Sequence, residues 1–128
     1  MLIEPPLENT DDDAGGDARP PVTEVLRAAL GPLAARIDAA FIYGPAARGA
    51  AAHGDIDVLI IGRDMTYADV LPHIITAAKF IGRAVNPSVY NADEWLEKLA
   101  RGNRISLAVL KQSRILVLGT EEDIPRPR

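Results

Sequence analysis

The stretch of sequence that decides the fold runs from residue 41 to residue 59 and reads FIYGPAARGAAAHGDIDVL. It opens with the end of a short apolar run, residues 39–43, which predicts a buried strand closed by a turn at Gly44. A second apolar run over residues 56–61 begins directly after Asp55 and predicts a second strand. A glycine-containing loop therefore joins two strands of a small sheet.

Two acidic side chains, Asp55 and Asp57, lie at the start of the second strand. Side chains two residues apart on a strand point to the same face, so both carboxylates are predicted to project together while Ile56 and Val58 face the core. Converging carboxylates repel each other unless a cation lies between them, and their oxygens suit Mg²⁺ or Mn²⁺ in a phosphoryl-transfer site. The alternative is that they cap the loop or pair with Arg48.

The turn at Gly44 has features of a phosphate-binding loop. The strand passes there into a short helix, and the N–H groups at a helix N-terminus attract phosphate. Glycine lets the backbone approach a ligand closely. Arg48 is near enough in sequence to reach a phosphate oxygen or to hold the loop by an ion pair.

The combination of the turn glycine, Arg48-Gly49 and Asp55-Ile56-Asp57 opening an apolar strand resembles the signature of the polymerase-beta-like nucleotidyltransferase superfamily. The chain is similar to the minimal bacterial form of that domain, in the branch often fused to a winged-helix DNA-binding domain. The resemblance covers about residues 22–123. It implies a nucleoside triphosphate substrate such as ATP, two divalent cations and transfer of a nucleotidyl group to a hydroxyl. It also implies that Asp55 and Asp57 bind the catalytic Mg²⁺, that Gly44 shapes the phosphate turn and that Arg48 supports it.

Two positions depart from the family's pattern. The family places serine after the glycine, with hydroxyl and N–H both on the triphosphate, whereas this chain has Pro45. Proline fits the first position of a helix but supplies neither group. The family's third carboxylate, which activates the attacking hydroxyl, corresponds to Asn86, and an amide cannot act as a base near neutral pH. We therefore expect detectable metal binding with weak ATP binding, and both a slow enzyme and an inactive one remain open.

The rest of the chain supplies helices and two further strands. Helices are predicted over residues 21–37, with a break or kink at Gly31-Pro32, and over residues 66–81, 92–101 and 104–111. Further strands are predicted over residues 84–90, where Pro87 indicates a sheet edge or bulge, and over residues 114–118. The expected fold is α/β (α+β), a small mixed sheet with helices on one side. Packing is the predicted role of Tyr43, Tyr90 and Trp95, and stacking on a base is the alternative for Tyr90 and Trp95.

Composition and charge restrict the class of protein. The 128 residues, 48% hydrophobic and 25% charged, suit one soluble domain, and the absence of cysteine fits a reducing cytoplasm. No apolar run reaches membrane-spanning length, so no membrane partner is expected. The first 20 residues hold six acids and one base, whereas the remainder holds 12 acids and 13 bases, so the net charge of −4 is due to the N-terminal segment. No basic cluster follows, so direct nucleic-acid binding by this chain alone is not expected. We predict a disordered acidic tail over residues 1–20, a nucleotidyltransferase-like domain over residues 21–123 and a C-terminal tail over residues 124–128.

Two classes of function fit these features. The first is an enzyme that transfers a nucleotidyl group to an acceptor hydroxyl on an antibiotic, a protein or a nucleic-acid end. The second is a catalytically degenerate module of the same fold that acts as a regulatory or protein-interaction partner, antitoxin-like or transcription-associated. The paired presence of Pro45 and Asn86 favours the second class, and a protein partner such as a helical subunit is expected in either.

Overall fold

A computed structural model describes residues 21–47, 54–111 and 113–127 of the chain. Two groups of sequence-based predictions lie outside these residues: the acidic tail over residues 1–20, and the phosphate-loop role of Arg48. In the described ranges, no helix combines the length and the hydrophobicity that crossing a membrane requires.

A four-stranded mixed sheet forms the centre of the fold. Its strands are β1 (Ile37–Tyr43), β2 (Ile56–Gly62), β3 (Val85–Tyr90) and β4 (Ile115–Leu118), in the spatial order β3-β2-β1-β4. β1 pairs antiparallel with β2 and β4, and β2 pairs parallel with β3. The predicted small mixed sheet is therefore confirmed, and the strand that contains Pro87 is an edge strand as expected.

Four α-helices complete the fold: α1 (Val22–Leu30), α2 (Tyr67–Ile81), α3 (Ala92–Ala100) and α4 (Arg104–Lys111). The first helix is shorter than predicted, because residues 31–36 continue as a 3-10 helix and Ile37 already belongs to β1. Pro32, near the start of that 3-10 helix, has no backbone N–H to donate to an α-helical hydrogen bond. The possible break at Gly31-Pro32 is thus the actual end of the α-helix.

Helices cover both faces of the sheet, so the expectation that they lie on one side is wrong. On one face, α1 and α2 pack against the sheet around Leu26, Leu30, Val70 and Ile74, together with the β2 residues Ile56, Val58 and Ile60. On the other face, α3 and α4 contribute to a second buried cluster, which consists of Ala39, Phe41, Leu59, Ile61, Trp95, Leu99, Val109 and Ile124. Burial on both faces explains why β1 and β2 have continuous apolar runs rather than alternating ones.

The second cluster is closed by the end of the chain. Trp95 is fully buried, and its indole Nε1 donates a hydrogen bond to the carbonyl of Pro125 at 2.9 Å. Ile124 is only 2% exposed. Packing of the domain therefore extends past residue 123, the last residue of the predicted domain.

Candidate functional site

Three adjacent strands bring polar side chains together at one level of the sheet. Tyr43 in β1 is the Cα partner of Asp57 in β2, and Asp57 is the Cα partner of Asn86 in β3. Ile56 and Val58 are buried under α1 and α2, so Asp57 projects from the opposite face. Backbone pairing of the three strands therefore fixes the Cα positions of this row of three residues.

Both carboxylates are joined by one amide. Asn86 Nδ2 donates to Asp55 Oδ2 at 3.1 Å and to Asp57 Oδ1 at 3.4 Å. Asp55 directly precedes β2 and is exposed, as is Asn86, whereas Asp57 is partly buried. The two carboxylates therefore converge on one exposed face, and Asn86, the residue predicted from the motif to replace a third carboxylate, lies beside both of them.

The glycine turn lies close to Asp57. Gly44 is buried and has a backbone φ of +74°, a left-handed conformation that favours glycine. A Cβ at this position would lie 3.2 Å from Asp57 Oδ2. Pro45 follows at the start of a single 3-10 turn over residues 44–46 and is exposed. Ala47 N–H is bonded to the carbonyl of Gly44, so this short turn presents fewer backbone donors than an α-helical N-terminus would.

Replacing Gly44 with alanine is expected to lower the free energy of unfolding by about 1–2 kcal/mol, because an L-residue in the left-handed conformation is strained. The added Cβ would also lie 3.2 Å from Asp57 Oδ2, so this carboxylate must shift slightly. Urea denaturation followed by circular dichroism measures the loss. Gly31→Ala is the matched control, since Gly31 has φ −48° and open space at its Cβ. Equal stability of the two variants would show that the strained turn at Gly44 is absent.

Hydroxyl groups extend the polar row away from the carboxylates. The pKa of Tyr43 is raised above its ordinary value of 10.0, chiefly because the phenol is partly buried. The charge of Asp57 and the neighbouring Tyr90 raise it further, whereas a hydrogen bond with the Ser88 side chain opposes the rise. A raised pKa keeps the Tyr43 hydroxyl neutral at physiological pH, where it retains its proton as a hydrogen-bond donor.

An aromatic and a basic side chain border this row on the α3 side. Tyr90, at the end of β3, packs against Trp95 with ring centroids 6.1 Å apart. Lys98 Nζ lies 5.2 Å from the centroid of the Tyr90 ring. A charge within this distance of a ring face is attracted to it.

Oxygen atoms make this site compatible with a hard divalent cation. Asp55 and Asp57 supply carboxylate oxygens, whereas the Asn86 amide presents its nitrogen to them. Within the described ranges, no group of three or more His, Cys, Asp or Glu side chains forms a metal-binding cluster. Mg²⁺ binds through one or two carboxylates and keeps several water molecules, so the donor set fits Mg²⁺ or Mn²⁺ with further oxygens from a phosphate.

The structure brings together most, but not all, of the residues singled out from sequence. Gly44, Asp55, Asp57 and Asn86 form one site, with Pro45 next to it. Arg48 is outside the described residues. Two further groups of this face, the hydroxyls of Tyr43 and Ser88, were not identified from sequence. Both could have been predicted from strand geometry. Ser88 lies two residues after Asn86 and so on the same face of β3, and Tyr43 lies opposite Asp57 in the neighbouring strand.

Comparisons with known proteins find a similar structure but no similar sequence. Neither a protein family nor a curated protein matches the sequence of this chain. Among solved structures, the chain is similar to one described as the crystal structure of a toxin-antitoxin with AMP-PNP. The TM-score is 0.55 and the identity 15%, over 77% of this chain and 74% of that chain. At that identity the similarity establishes a common fold, so this chain shares the fold of a toxin-antitoxin protein.

Proposed function

We propose that this chain is a nucleotidyltransferase-type domain that transfers a nucleotidyl group from a nucleoside triphosphate to an acceptor hydroxyl, slowly because of Pro45 and Asn86. The observation that carries the proposal is the convergence of Asp55 and Asp57 beside the turn at Gly44. Carboxylates next to a tight glycine turn match the arrangement in which a cation and a triphosphate share one site. ATP is the first nucleotide to test, because the toxin-antitoxin structure of similar fold contains AMP-PNP.

The proposed transfer requires only the nucleoside triphosphate and the acceptor hydroxyl as reactants. The acceptor oxygen forms a bond to the α-phosphorus, the bridging bond between the α- and β-phosphates breaks, and pyrophosphate leaves with the bonding electrons. A divalent cation held by Asp55 and Asp57 would neutralise phosphate charge during this step. The acceptor's proton must go to water, since the Asn86 amide cannot accept it. Loss of a positioned base typically slows such a step roughly 100- to 10,000-fold.

The direct test is transfer of label from α-phosphate-labelled ATP to small or macromolecular acceptors in a cell extract containing Mg²⁺. We expect weak labelling by the wild type and background labelling by Asp57→Asn, because the substitution removes one of two metal-binding charges. Asp64→Asn is the matched control. Asp64 is exposed at the other end of β2, and its φ of 51° is one that asparagine also tolerates. If the wild type labels nothing beyond the Asp57→Asn level, the enzymatic proposal fails.

The second candidate is a non-catalytic partner module of the same fold. The hydrogen bonds from Asn86 to both carboxylates favour it, because they occupy these groups with a side chain that cannot act as a base. Purification under native conditions, followed by labelling of any bound protein with ATP, separates the candidates. A partner that binds wild type and Asp57→Asn equally and is never labelled supports the non-catalytic module. A partner labelled only in the presence of the wild type supports the enzyme.

A further inference from the structure

The Asn86 side chain lies where it contacts both acidic groups of the site. Its position follows from the parallel register of β2 and β3, which makes Asn86 the Cα partner of Asp57. Nδ2 lies 3.1 Å from Asp55 Oδ2 and 3.4 Å from Asp57 Oδ1. One nitrogen is therefore shared by two carboxylates, as a bridging cation would be.

Chemistry selects this orientation of the amide. The amide nitrogen of asparagine only donates hydrogen bonds, whereas its oxygen and both carboxylates only accept them. With the nitrogen facing the carboxylates, both contacts are favourable. With the oxygen facing them, three acceptors would crowd together and repel. In the absence of a cation, the donor therefore faces the acidic pair.

A bound cation is incompatible with this contact. A metal between Asp55 and Asp57 repels the positive NH₂ end of the amide dipole, so Nδ2 must leave the carboxylate oxygens when the metal binds. The amide nitrogen and the cation thus compete for the same carboxylate oxygens. The contacts of 3.1 and 3.4 Å are long for hydrogen bonds to a charged acceptor and lie on an exposed face, so displacing them lowers the affinity for the cation modestly.

We propose that the Asn86 amide is an internal substitute for the cation: it holds Asp55 and Asp57 together when no metal is bound and turns away when one binds. This inference rests on the proposed function only in assigning a divalent cation to the two carboxylates. It makes the site stable without metal and raises the cation concentration needed to fill it. Asn86 is accordingly a positioning residue that regulates occupancy of the site.

Mn²⁺ titration calorimetry on wild type, Asn86→Ala and Asn86→Asp tests the competition. Asn86→Ala removes the competing donor, and we expect it to bind Mn²⁺ up to about tenfold more tightly than wild type, since one net hydrogen bond corresponds to a factor of that order. Asn86→Asp removes the donor and adds a third carboxylate, so its affinity should be higher still. An ordinary ligand role for Asn86 would give the opposite result, weaker binding by Asn86→Ala.

Thermal unfolding in EDTA tests the metal-free part. Asn86→Asp should unfold at a temperature lower by about 4 °C or more, because three carboxylates then converge without a counter-charge, and Mn²⁺ should restore the loss. Asn91→Asp is the matched control. Asn91 is the N-cap of α3, where aspartate is an equally good cap, and it lies five residues further along the chain, about 16 Å away on an extended strand. An equal temperature shift in the two Asp variants would overturn the proposal.

Nuclear magnetic resonance observes the rotation itself in the wild type. The side-chain NH₂ signals of Asn86 are identified by their loss in Asn86→Ala. They should shift when Mg²⁺ is added, whereas those of Asn91 should not.

The outcomes separate this inference from the proposed function. Tighter Mn²⁺ binding by Asn86→Ala without any labelling activity supports the inference and rejects the enzyme. Labelling activity with unchanged or weaker Mn²⁺ binding by Asn86→Ala rejects the inference and leaves the enzyme standing. Absence of Mn²⁺ binding in every variant overturns both.

Discussion

The double variant Pro45→Ser, Asn86→Asp is expected to transfer nucleotide at least about 100-fold faster than the wild type. The serine returns a hydroxyl and an N–H next to Gly44, whose position beside Asp57 places residue 45 near the carboxylates. The aspartate supplies a base at the residue that already contacts both carboxylates, and positioned bases contribute roughly 100- to 10,000-fold. Single-turnover labelling with ATP and Mg²⁺ measures the rate.

The single variant Pro45→Ser separates the effect on ATP affinity from the effect on the rate of transfer. Pro45→Ser alone should raise the affinity for ATP about tenfold or more in calorimetry, because each new bond to a charged phosphate contributes roughly 1.5–3 kcal/mol. Its turnover should stay low, since Asn86 still cannot accept a proton. Addition of Asp57→Asn to the double variant is the control and should abolish the gain. Tight ATP binding by the wild type would contradict the role given to Pro45, and no gain from serine would show that the turn does not face phosphate.

The second large effect concerns the core on the site's face of the sheet. Trp95→Ala should lower the free energy of unfolding by about 3–5 kcal/mol, because it leaves a large cavity under α3 and removes the donor to Pro125. Trp95→Phe keeps most of the apolar volume and should cost less, in large part through the unpaired Pro125 carbonyl. Urea denaturation measures both losses. Unfolding is followed by circular dichroism because Trp95 is the chain's one tryptophan, and both variants lack its fluorescence.

Phe80→Ala is the control for this series. Phe80 lies on α2 and is 66% exposed, so its truncation should change stability by no more than about 0.5 kcal/mol. A loss of under about 1 kcal/mol in Trp95→Ala would mean that α3 does not pack on this face.

Much of the fold can be predicted from sequence because the pattern of apolar and polar side chains and the constraints of glycine and proline on the backbone indicate the same strands. The apolar run before Gly44 predicted β1 with a start two residues too late, and the run after Asp55 predicted β2 to within one residue. Period-two alternation placed Asp55 and Asp57 on one face, and their shared contact with Asn86 confirms it. Pro87 marked an edge strand because proline lacks the donor that a central strand requires.

The misses have equally specific causes. Helical spacing of apolar residues continued past Gly31 to Ile37, although the chain there forms a 3-10 helix and then enters the sheet. The one-sided arrangement of helices was wrong because uninterrupted apolar strands were not taken as a sign of burial on both faces. Tyr43 was assigned to packing because the alternation of side chains between the two faces was considered along β2 only. The pairing that places Tyr43 of β1 beside Asp57 was not considered.

The position of Asn86 on an exposed edge strand also has a genetic consequence. Its side chain is exposed and belongs to neither buried cluster, so residue 86 can change between amide and acid without rebuilding the core. Asparagine and aspartate codons differ by a single base, as do proline and serine codons. Two single-base changes would therefore convert this chain into one that carries the proposed serine and aspartate at residues 45 and 86.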